Sequence, residues 1–306
     1  MKQKLLVIVG PTAVGKTALS IQLAQKYQGQ VISGDSMQVY QKLDIGTAKI
    51  TPSEMQGVKH YLLDILDVKQ RFSCASFITQ ATQAADKINT HGFLPILCGG
   101  TGFYVQALLD GFQLGRDQQA SEKVRHKWHD YAKEHGQKAL WDKLNEIDPV
   151  AAKKIPLANE LRVVRALEVY EKTGQLFSNQ ADHDEKFDAL VIGLTTNRQL
   201  LYDRINHRVD VMVEQGLLNE AKMLYAAGGM SLPAGKGIGY KEFYPYFAGE
   251  ITLDEAIATV KKNSRHYAKR QLTWFRNKMD VNWFDLILHP EQITQIEALV
   301  SQWLTR

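Results

Sequence analysis

The sequence predicts an α/β protein: a P-loop NTPase-like core with a parallel sheet, and an inserted helical domain. Short apolar runs recur along the chain and alternate with stretches of helical periodicity. The first run leads directly into the segment GPTAVGKT at residues 10–17. Between about residues 113 and 187 the strand-like runs stop, and charged sequence with helical patterns replaces them. These three observations define the predicted fold class.

Four apolar runs are the predicted strands of the sheet. They are LLVIV (5–9), QVIS (30–33), LPILC (94–98) and ALVIGL (189–194). Continuous Val, Ile and Leu, without alternating polar residues, is typical of parallel strands that are covered on both faces. Between the second and third runs, apolar residues from Phe77 to Ile88 repeat at helical spacing, so strand and helix alternate through this part of the chain.

The helical stretch divides the chain into three parts. We expect the first part of the core at 1–112, the helical domain at 113–187, and the second part of the core, with basic C-terminal helices, at 188–306. Within that last part, helical patterns are predicted at about 198–227, 253–278 and 290–304.

The composition is ordinary for a soluble globular protein, with 44% hydrophobic and 23% charged residues in a chain of 306. Two cysteines, Cys74 and Cys98, without a C-x-x-C pair exclude a disulfide framework and a cysteine-rich zinc module, and they fit a reducing cytosol. No run approaches the ~20 apolar residues of a membrane-spanning helix, and the first apolar run is too short for a signal peptide. We therefore expect a cytoplasmic protein without membrane contact.

The segment GPTAVGKT fits the pattern G-x-x-x-x-G-K-[ST] and lies between a predicted strand and a predicted helix, which is the context that the pattern requires. Backbone N–H groups of such a loop surround phosphate oxygens, Lys16 supplies a positive charge, and the Thr17 hydroxyl is a candidate Mg²⁺ ligand. The predicted phosphate-binding residues are Gly10, Pro11, Thr12, Ala13, Val14, Gly15, Lys16 and Thr17. The pattern leaves open whether the phosphates belong to ATP or to another diphosphate.

The acidic residue nearest this loop is not where an ATP-hydrolysing protein usually has it. Such proteins usually carry an Asp at the end of a second apolar strand, but LPILC ends in GGTG, which places Thr101 there. Asp35 follows the other early strand and would face the phosphate crevice, although an Asp in this setting can equally cap a turn. A hydroxyl and one carboxylate beside a diphosphate suit proton removal from an acceptor at least as well as ATP hydrolysis.

Residues 261–278 predict a basic helix, with seven Lys or Arg, no acidic residue and interleaved aromatic rings. This combination is typical of a nucleic-acid surface, and a solvated helix face is the alternative. Upstream, Arg204 and Arg208 lie one helical turn apart. They could neutralise a leaving diphosphate, or form ion pairs with Asp203 or Asp210.

Several longer motifs make the chain resemble the tRNA dimethylallyltransferase (tRNA isopentenyltransferase) family over nearly its whole length. The motifs are GPTAVGKT (10–17), SGDSMQVYQKLDIGTAK (33–49), HYLLDI (60–65), LCGGTGFYVQALLDG (97–111), RALEVYEKTG (165–174), RINHRVDVMVEQGLL (204–218), GIGYKE (237–242) and AKRQLTWFRN (268–277). The chain departs from the family pattern at Gly34, where another small residue is expected. It also has no C-terminal zinc finger like that of eukaryotic relatives, so the resemblance is to the bacterial type.

The resemblance implies a reaction. In that family the loop binds the diphosphate of dimethylallyl diphosphate, and the dimethylallyl group moves to the N6 amine of the adenosine 3′-adjacent to the anticodon (tRNA position 37), in tRNAs reading codons that begin with U. By resemblance, Asp35 is the general base and Thr101 helps to hold the amine or the bridging oxygen. Arg208, with Mg²⁺ on Thr17, stabilises the leaving diphosphate. The implied partners are tRNA and the prenyl diphosphate, and a monomer is expected.

The resemblance also implies contacts with tRNA, in which the helical insertion would embrace the anticodon stem-loop. The contacts are expected in part from the turn 236–241 and the helix 264–271. The residues named are Asp35, Ser36, Met37, Gln38, Thr101, Arg125, Arg162, Arg165, Lys236, Gly239, Tyr240, Lys241, Arg265, Lys269, Arg270 and Gln271.

Three alternative functions stay open on the sequence alone. An adenylate isopentenyltransferase shares the core but modifies free AMP, and so small an acceptor needs neither the insertion nor the basic helix. A P-loop kinase would transfer phosphate from ATP, which the GGTG segment disfavours. An RNA-binding protein with an inactive loop would bind tRNA without turnover, which the intact Lys16, Thr17, Asp35 and Thr101 argue against.

Overall fold

The computed structural model describes residues 2–112, 121–179 and 186–306. The chain divides into two compact units. The first, here named the core unit, consists of Met1–Leu109 and Lys186–Arg306, and the second, the helical unit, of Asp110–Glu185. The limits expected for the helical domain, 113 and 187, lie close to this division, although residue 113 itself falls outside the described residues.

The core unit is built on a parallel sheet. Its strands are β1 Gln3–Val9, β2 Gly29–Ser33, β3 His60–Tyr61, β4 Leu94–Cys98, β5 Phe187–Leu194 and β6 Asn282–Phe284. They follow the order β3-β2-β4-β1-β5-β6, and every neighbouring pair is parallel. The four apolar runs are β1, β2, β4 and β5, which confirms the predicted fold class. The edge strands β3 and β6 were not predicted, because two or three residues are too few to form an apolar run.

The helices alternate with the strands in the core unit and follow one another in the helical unit. They are α1 Lys16–Lys26, α2 Cys74–Thr90, α3 Gly102–Leu109, α4 Ser121–Ile147, α5 Pro149–Lys154, α6 Glu160–Thr173, α7 Arg198–Glu214, α8 Leu217–Ala226, α9 Tyr244–Phe247, α10 Leu253–Lys278 and α11 Ile293–Leu304. Single 3₁₀ turns occupy Phe177–Asn179, Gly229–Ser231, Ala234–Lys236, Lys241–Phe243 and Pro290–Gln292. Within the described parts of the chain, no helix combines the length and the apolarity that crossing a membrane requires.

Two of the predicted helical patterns bear on the site. The pattern at 198–227 is two helices, α7 and α8, because Gly216 interrupts it with a φ of 107°, a left-handed conformation that residues with a side chain rarely adopt. The pattern at 253–278 is the single helix α10, and a capping box between Thr252 and Glu255 closes its first turn. The predicted basic residues therefore lie on one continuous helix.

The sheet is covered on both faces, as its continuous apolar strands predict. Along β1, Leu6 and Ile8 belong to the cluster that packs against α1 and α11. Leu5 and Val7 belong to the opposite cluster, against α2 and α3, in which Phe275 of α10 is also fully buried. These contacts fix α10 and the carboxyl ends of β1, β2 and β4, where the functional loops begin.

The helical unit has an apolar core of its own, to which Leu140 and Leu144 of α4 and Val163 and Leu167 of α6 contribute. Helix α4 is interrupted at Gly136, whose φ of 87° is outside the helical range. The helical character predicted for this stretch is thus present in its described residues.

Candidate active site

The segment 10–17 is the turn between β1 and α1. A β-carbon on Gly10 would lie 2.5 Å from the carbonyl oxygen of Leu194, and its φ is 144°, so only glycine fits there. Gly15, with a φ of 101°, is the N-cap of α1 and supplies no side-chain cap. The first N–H groups of α1 can therefore bind an anion, with Lys16 and Thr17 as the first two helical residues.

Lys16 reaches across this loop. Its Nζ donates a hydrogen bond to the carbonyl oxygen of Pro11 at 2.6 Å. Burial lowers the pKa of Lys16 to about 8, and the nearby Cys98 and Asp35 oppose the shift. An ammonium group that has lost most of its hydration interacts strongly with an anion placed beside it.

The affinity of this site for inorganic pyrophosphate is expected to fall above pH 8. An anion binds the charged form of Lys16 better than the neutral amine, so binding above that pH takes up a proton. The dissociation constant should then rise by about tenfold per pH unit, relative to Lys16→Arg, which stays charged and corrects for the ionisation of pyrophosphate itself. Calorimetry in two buffers of different ionisation enthalpy measures both the affinity and the proton uptake. Identical pH dependence in the two proteins would contradict this expectation.

Gln271 of α10 joins the loop to the end of β4. Its Oε1 accepts a hydrogen bond from the backbone N–H of Thr12 at 3.0 Å, and its Nε2 donates to the carbonyl oxygen of Gly100 at 2.9 Å. Only 5% of the residue is exposed. Gln271 was expected among the tRNA contacts, but the structure uses both polar groups of the side chain inside the core unit. Its observed role is to hold the phosphate loop against the segment that carries Thr101.

Asp35 follows β2 and faces the phosphate loop. Its Oδ1 accepts a hydrogen bond from the backbone N–H of Met37 at 2.7 Å, which caps the turn. Burial raises the pKa of Asp35, and the bond from Met37 and the charge of Lys16 oppose the shift. The two interpretations that the sequence left open are thus compatible, because the carboxylate caps a turn and is also desolvated beside a cation. A raised pKa makes it a better proton acceptor.

Thr101 lies against the turn that carries Asp35. Its Oγ1 accepts a hydrogen bond from the backbone N–H of Ser36 at 3.1 Å and lies 3.4 Å from the Ser36 hydroxyl. The two strand ends meet at Gly34 and Gly99, where a β-carbon on Gly99 would overlap the carbonyl group of Gly34. This close approach brings together the hydroxyl and the carboxylate that the sequence predicts in one site.

One cleft of about 1050 Å³ contains most of the predicted site. The predicted residues that line it are Thr12, Ala13, Val14, Gly15, Lys16, Thr17, Asp35, Ser36, Met37, Gln38, Arg208, Lys236, Gly239, Tyr240 and Gln271. Gly10 and Pro11 begin the loop without lining the cleft, and Thr101 adjoins it through Ser36. The phosphate loop and the carboxylate therefore share a cavity whose size suits an organic ligand.

Two arginines of α7 approach the phosphate loop. Arg204 donates a hydrogen bond from Nε to a backbone carbonyl of the loop at 2.9 Å. Arg208 lines the cleft, and burial lowers its pKa, which leaves a desolvated cation near the loop. The ion pairs considered as an alternative are not seen among the described residues, because Asp210 pairs with Lys261 at 2.5 Å and Asp203 binds a glutamine of α7. The arrangement favours the interpretation as an anion site.

The basic side of α10 lies along a groove of about 540 Å³. Lys269, Arg270 and His266 line this groove and are exposed. Arg265 differs from them, because its Nη1 donates to Oδ1 of Asn206 at 2.6 Å and the guanidinium is held against α7. The exposed cations Lys269 and Arg270, adjacent on one helix, suit contact with phosphates of a nucleic acid.

The turn before α9 carries four of the expected tRNA contacts, Lys236, Gly239, Tyr240 and Lys241. Lys236 is exposed, and Gly239 lines the cleft. The side chain of Tyr240 is fully buried, and its hydroxyl donates to Oε2 of Glu220 at 2.9 Å. A contact between Tyr240 and RNA is therefore restricted to the backbone of this residue.

In the helical unit, two of the expected contacts share one carboxylate. Arg125 Nε and Arg165 Nη1 both donate to Oε2 of Glu168, at 3.0 and 2.7 Å. Glu168 is fully buried, and although burial opposes the shift, the two guanidinium groups lower its pKa below the usual range. Arg162, on the same helix, is exposed. The N–H groups of Arg125 and Arg165 that are not bound to Glu168 can still reach a ligand.

Tyr267 is a cleft residue that was not named individually among the predicted site residues, although it lies within the 264–271 helix that was expected to contact tRNA. It lines the cleft one helical turn before Gln271. Burial raises its pKa to about 12, the charge of Asp35 adds to the shift, and hydrogen bonding with Thr101 and Gln271 opposes it. The phenol is thus a neutral hydrogen-bond donor at neutral pH. The signal for it in the sequence was its helical spacing from Gln271.

Comparison with known proteins identifies the family. The family model for IPP transferase (IPPT) matches residues 38–278. The chain belongs to the IPP transferase family. A similar IPP transferase relative is the tRNA dimethylallyltransferase of Ligilactobacillus salivarius (strain UCC118), which is 61% identical over 307 residues, 99% of this chain and 100% of the relative.

Solved structures of IPP transferases have the same architecture. The tRNA isopentenylpyrophosphate transferase of Bacillus halodurans is 50% identical, with a TM-score of 0.75 over 99% of this chain and 97% of that one. A eukaryotic dimethylallyltransferase, described as acting on tRNA, is 33% identical, with a TM-score of 0.84 over 98% of this chain and 79% of that one. The resemblance seen in the sequence motifs is confirmed. As a member of the IPP transferase family the chain is an enzyme, which sets aside a non-catalytic RNA-binding protein.

Proposed function

We propose that this protein transfers the dimethylallyl group of dimethylallyl diphosphate to the N6 amine of the adenosine at tRNA position 37, 3′-adjacent to the anticodon, in tRNAs that read codons beginning with U. One observation carries the proposal: the phosphate loop and Asp35 open on the same cleft, and the segment that follows β4 carries Thr101 in place of the carboxylate of an ATP-hydrolysing site. The names of its IPP transferase relatives agree with this acceptor and this group.

The donor side of the cleft is the phosphate loop. Its backbone N–H groups and Lys16 would hold the diphosphate, with the five-carbon chain directed into the cleft. Negative charge develops on the bridging oxygen as the C1–O bond breaks. Lys16 and Arg208, both desolvated at the cleft, stabilise that charge because their interaction with it is weakly screened.

The acceptor side is the turn that carries Asp35. The adenine has to leave the base stack for its amine to enter the cleft. As N6 forms a bond to C1 of the donor, one N6 proton moves to the Asp35 carboxylate and the diphosphate departs with the electron pair of the C1–O bond. Thr101, which adjoins Ser36, is positioned to orient the amine or the bridging oxygen. Asp35 suits the proton transfer because burial raises its pKa.

The residues at the loop fit a Mg²⁺ ion that arrives with the diphosphate. In the described parts of the chain no group of three His, Cys, Asp or Glu side chains could form a metal cage of its own. Thr17, by contrast, is exposed at the start of α1, where its hydroxyl can supply one ligand to an ion that takes the others from phosphate and water. When bound, such an ion offsets the charge of the departing diphosphate.

Product analysis tests the proposal directly. The protein is incubated with unmodified tRNA, Mg²⁺ and dimethylallyl diphosphate. The tRNA is then digested, and the masses of the nucleosides are measured by mass spectrometry. We expect a dimethylallyl adduct on adenosine that maps to position 37. Free AMP and ATP are offered in parallel, because an adduct on AMP alone would favour an adenylate isopentenyltransferase and phosphate transfer from ATP would favour a kinase. Absence of any adduct on tRNA would contradict the proposal.

The basic face of α10 is expected to contribute phosphate contacts to tRNA binding. Replacing Arg265, Lys269 and Arg270 together by alanine should weaken binding and flatten its salt dependence, by a slope of about 0.7–0.9 for each phosphate that is no longer neutralised. The measurement is the tRNA dissociation constant over a range of salt concentrations. The matched control replaces three exposed lysines that line neither the cleft nor the groove, Lys69, Lys87 and Lys222. Equal slopes in the two triple variants would show that the face is only solvated.

A further inference from the structure

One carboxylate, that of Glu220 on α8, holds together two segments of the core unit. Its Oε1 accepts hydrogen bonds from the backbone N–H groups of Asp44 and Ile45, both at 2.9 Å. Its Oε2 accepts from the N–H of Gly46 at 3.1 Å and from the hydroxyl of Tyr240 at 2.9 Å. Three consecutive N–H groups converging on one anion make a strong and directional contact, because the acceptor is charged in every bond.

The two segments form one wall of the cleft. Residues 46–48 line it together with residues 236–240. They touch directly, since a β-carbon on Gly46 would lie 2.5 Å from Cζ of Tyr240. Glu220 does not line the cleft. It therefore supports the wall from behind and does not touch a molecule bound in front of it.

Hydrogen bonds lead from this wall to Asp35. Gln38 Nε2 donates to the carbonyl oxygens of Thr47 and Ala48, at 3.2 and 3.3 Å. Gln38 Oε1 accepts from the Ser33 hydroxyl at 2.9 Å, and Ser33 Oγ accepts from the backbone N–H of Asp35 at 3.4 Å. A shift of the wall would therefore be transmitted through these hydrogen bonds to the turn that carries the proposed base.

A separate anchor holds the far end of the same segment. Lys49, whose side chain is 4% exposed, donates to the carbonyl oxygen of Tyr40 at 2.8 Å and pairs with Asp44 and Asp64, both at 2.6 Å. Because this anchor does not involve Glu220, loss of the Glu220 contacts is expected to shift the wall without releasing the segment.

We propose that Glu220 is a positioning residue for the acceptor side of the cleft. By joining residues 44–46 to Tyr240 it fixes the wall, and through Gln38 it sets where a purine lies relative to Asp35. The inference rests on the proposed transfer to adenosine. Residues 46–48 and 236–240 line the cleft, and their backbone carbonyl groups, each with two lone pairs, can accept hydrogen bonds from the edge of a base that has left its stack.

Glu220→Gln tests this role, because an amide turns an NH₂ group toward at least one of the four donors. We expect kcat/KM for tRNA to fall by up to ~100-fold through misplacement of the acceptor. The dissociation constant of dimethylallyl diphosphate should stay within about twofold of the wild-type value. General damage to the fold would impair both quantities and would not separate acceptor turnover from donor affinity in this way. The control is Glu214→Gln, which removes the same charge from an exposed position at the end of α7.

Two further variants approach the same contact differently. Tyr240→Phe removes one of the four bonds and no charge, so a smaller loss of about 2–10-fold is expected. Gly46→Ala keeps the Glu220 carboxylate but inserts a β-carbon 2.6 Å from the Tyr240 hydroxyl, so this partner of Glu220 has to shift. It should likewise lower acceptor turnover and leave donor affinity unchanged. If Glu220→Gln does not fold, these two variants test the proposed role of Glu220 by the same criterion, a lower kcat/KM for tRNA with unchanged donor affinity.

The inference is overturned if Glu220→Gln matches Glu214→Gln in kcat/KM, or if donor affinity falls in proportion to acceptor turnover. Neither result touches the proposed function, which wild-type protein tests separately. A wild-type enzyme that transfers nothing to tRNA contradicts the function, whereas an active wild type with an unaffected Glu220→Gln variant contradicts only the role of Glu220.

Discussion

Asp35→Asn is expected to slow single-turnover dimethylallyl transfer by about 10²–10⁴-fold while both substrates still bind. The amide keeps the size of the side chain and can still accept the turn-capping bond from Met37, but it cannot take up the N6 proton at neutral pH. Donor binding depends on the phosphate loop, so it should persist. Rates are measured at saturating tRNA and donor, and affinities separately.

The wild-type rate is expected to depend on pH through the same carboxylate. Burial raises the pKa of Asp35, so on acidification the rate should begin to fall at a pH above the range in which carboxyl groups ordinarily become protonated.

Asp67→Asn is the matched control for this change. Asp67 also caps its own turn, by accepting the backbone N–H of Lys69 at 3.0 Å, but it is exposed and does not line the cleft. Near wild-type turnover in Asp35→Asn would mean that the base lies elsewhere. Retained turnover with a collapse of tRNA affinity would instead make Asp35 a contact that positions the flipped base.

Lys16→Ala is expected to weaken binding of dimethylallyl diphosphate by about 10–100-fold or more and to leave tRNA affinity unchanged. The ammonium group lies in the phosphate loop and has lost much of its hydration, so its charge-assisted bonds to the diphosphate contribute roughly 1.5–3 kcal/mol. The measurement is calorimetric titration with the donor, or with a non-reactive diphosphate analogue, beside tRNA binding.

Lys26→Ala provides the comparison, because Lys26 ends the same helix and forms an ion pair with Glu297 at 2.6 Å, away from the phosphate loop. Donor affinity should be equal in this variant and in the wild type. If donor affinity is also unchanged in Lys16→Ala, the loop does not serve the prenyl donor. A parallel loss of tRNA affinity would show that the variant is damaged more widely.

The parts of the fold that repeat a pattern over many residues were predictable. Strands β1, β2, β4 and β5 and helix α10 appear in the sequence as continuous runs of one periodicity, and they are present where expected. Periodicity did not predict the break at Gly216, whose left-handed conformation divides one helical pattern into α7 and α8. A glycine within a helical pattern can be tolerated or can end the helix, and only the tertiary context decides.

The candidate site shows the same division between local pattern and tertiary contact. Phosphate-loop spacing and the position of Asp35 after β2 place both groups at one cleft, and the structure brings them together there. Gln271 was expected to contact tRNA through the family resemblance, but it follows the buried Ala268 by one turn on the inward side of α10. The contacts of Glu220 had no sequence signal, because they join residues that are distant along the chain.

The approach of Gly34 to Gly99 sets unequal limits on how this site can vary during evolution. A β-carbon on Gly34 would lie 3.3 Å from the α-carbon of Gly99, a tight contact that a shift of a few tenths of an ångström relieves. A β-carbon on Gly99 would meet the carbonyl group of Gly34, which cannot move without disturbing the turn that carries Asp35. Position 34 can therefore alternate between glycine and alanine among homologous enzymes, whereas position 99 is confined to glycine. Invariance at position 99 would reflect the clearance between two backbones and not a part in the chemistry.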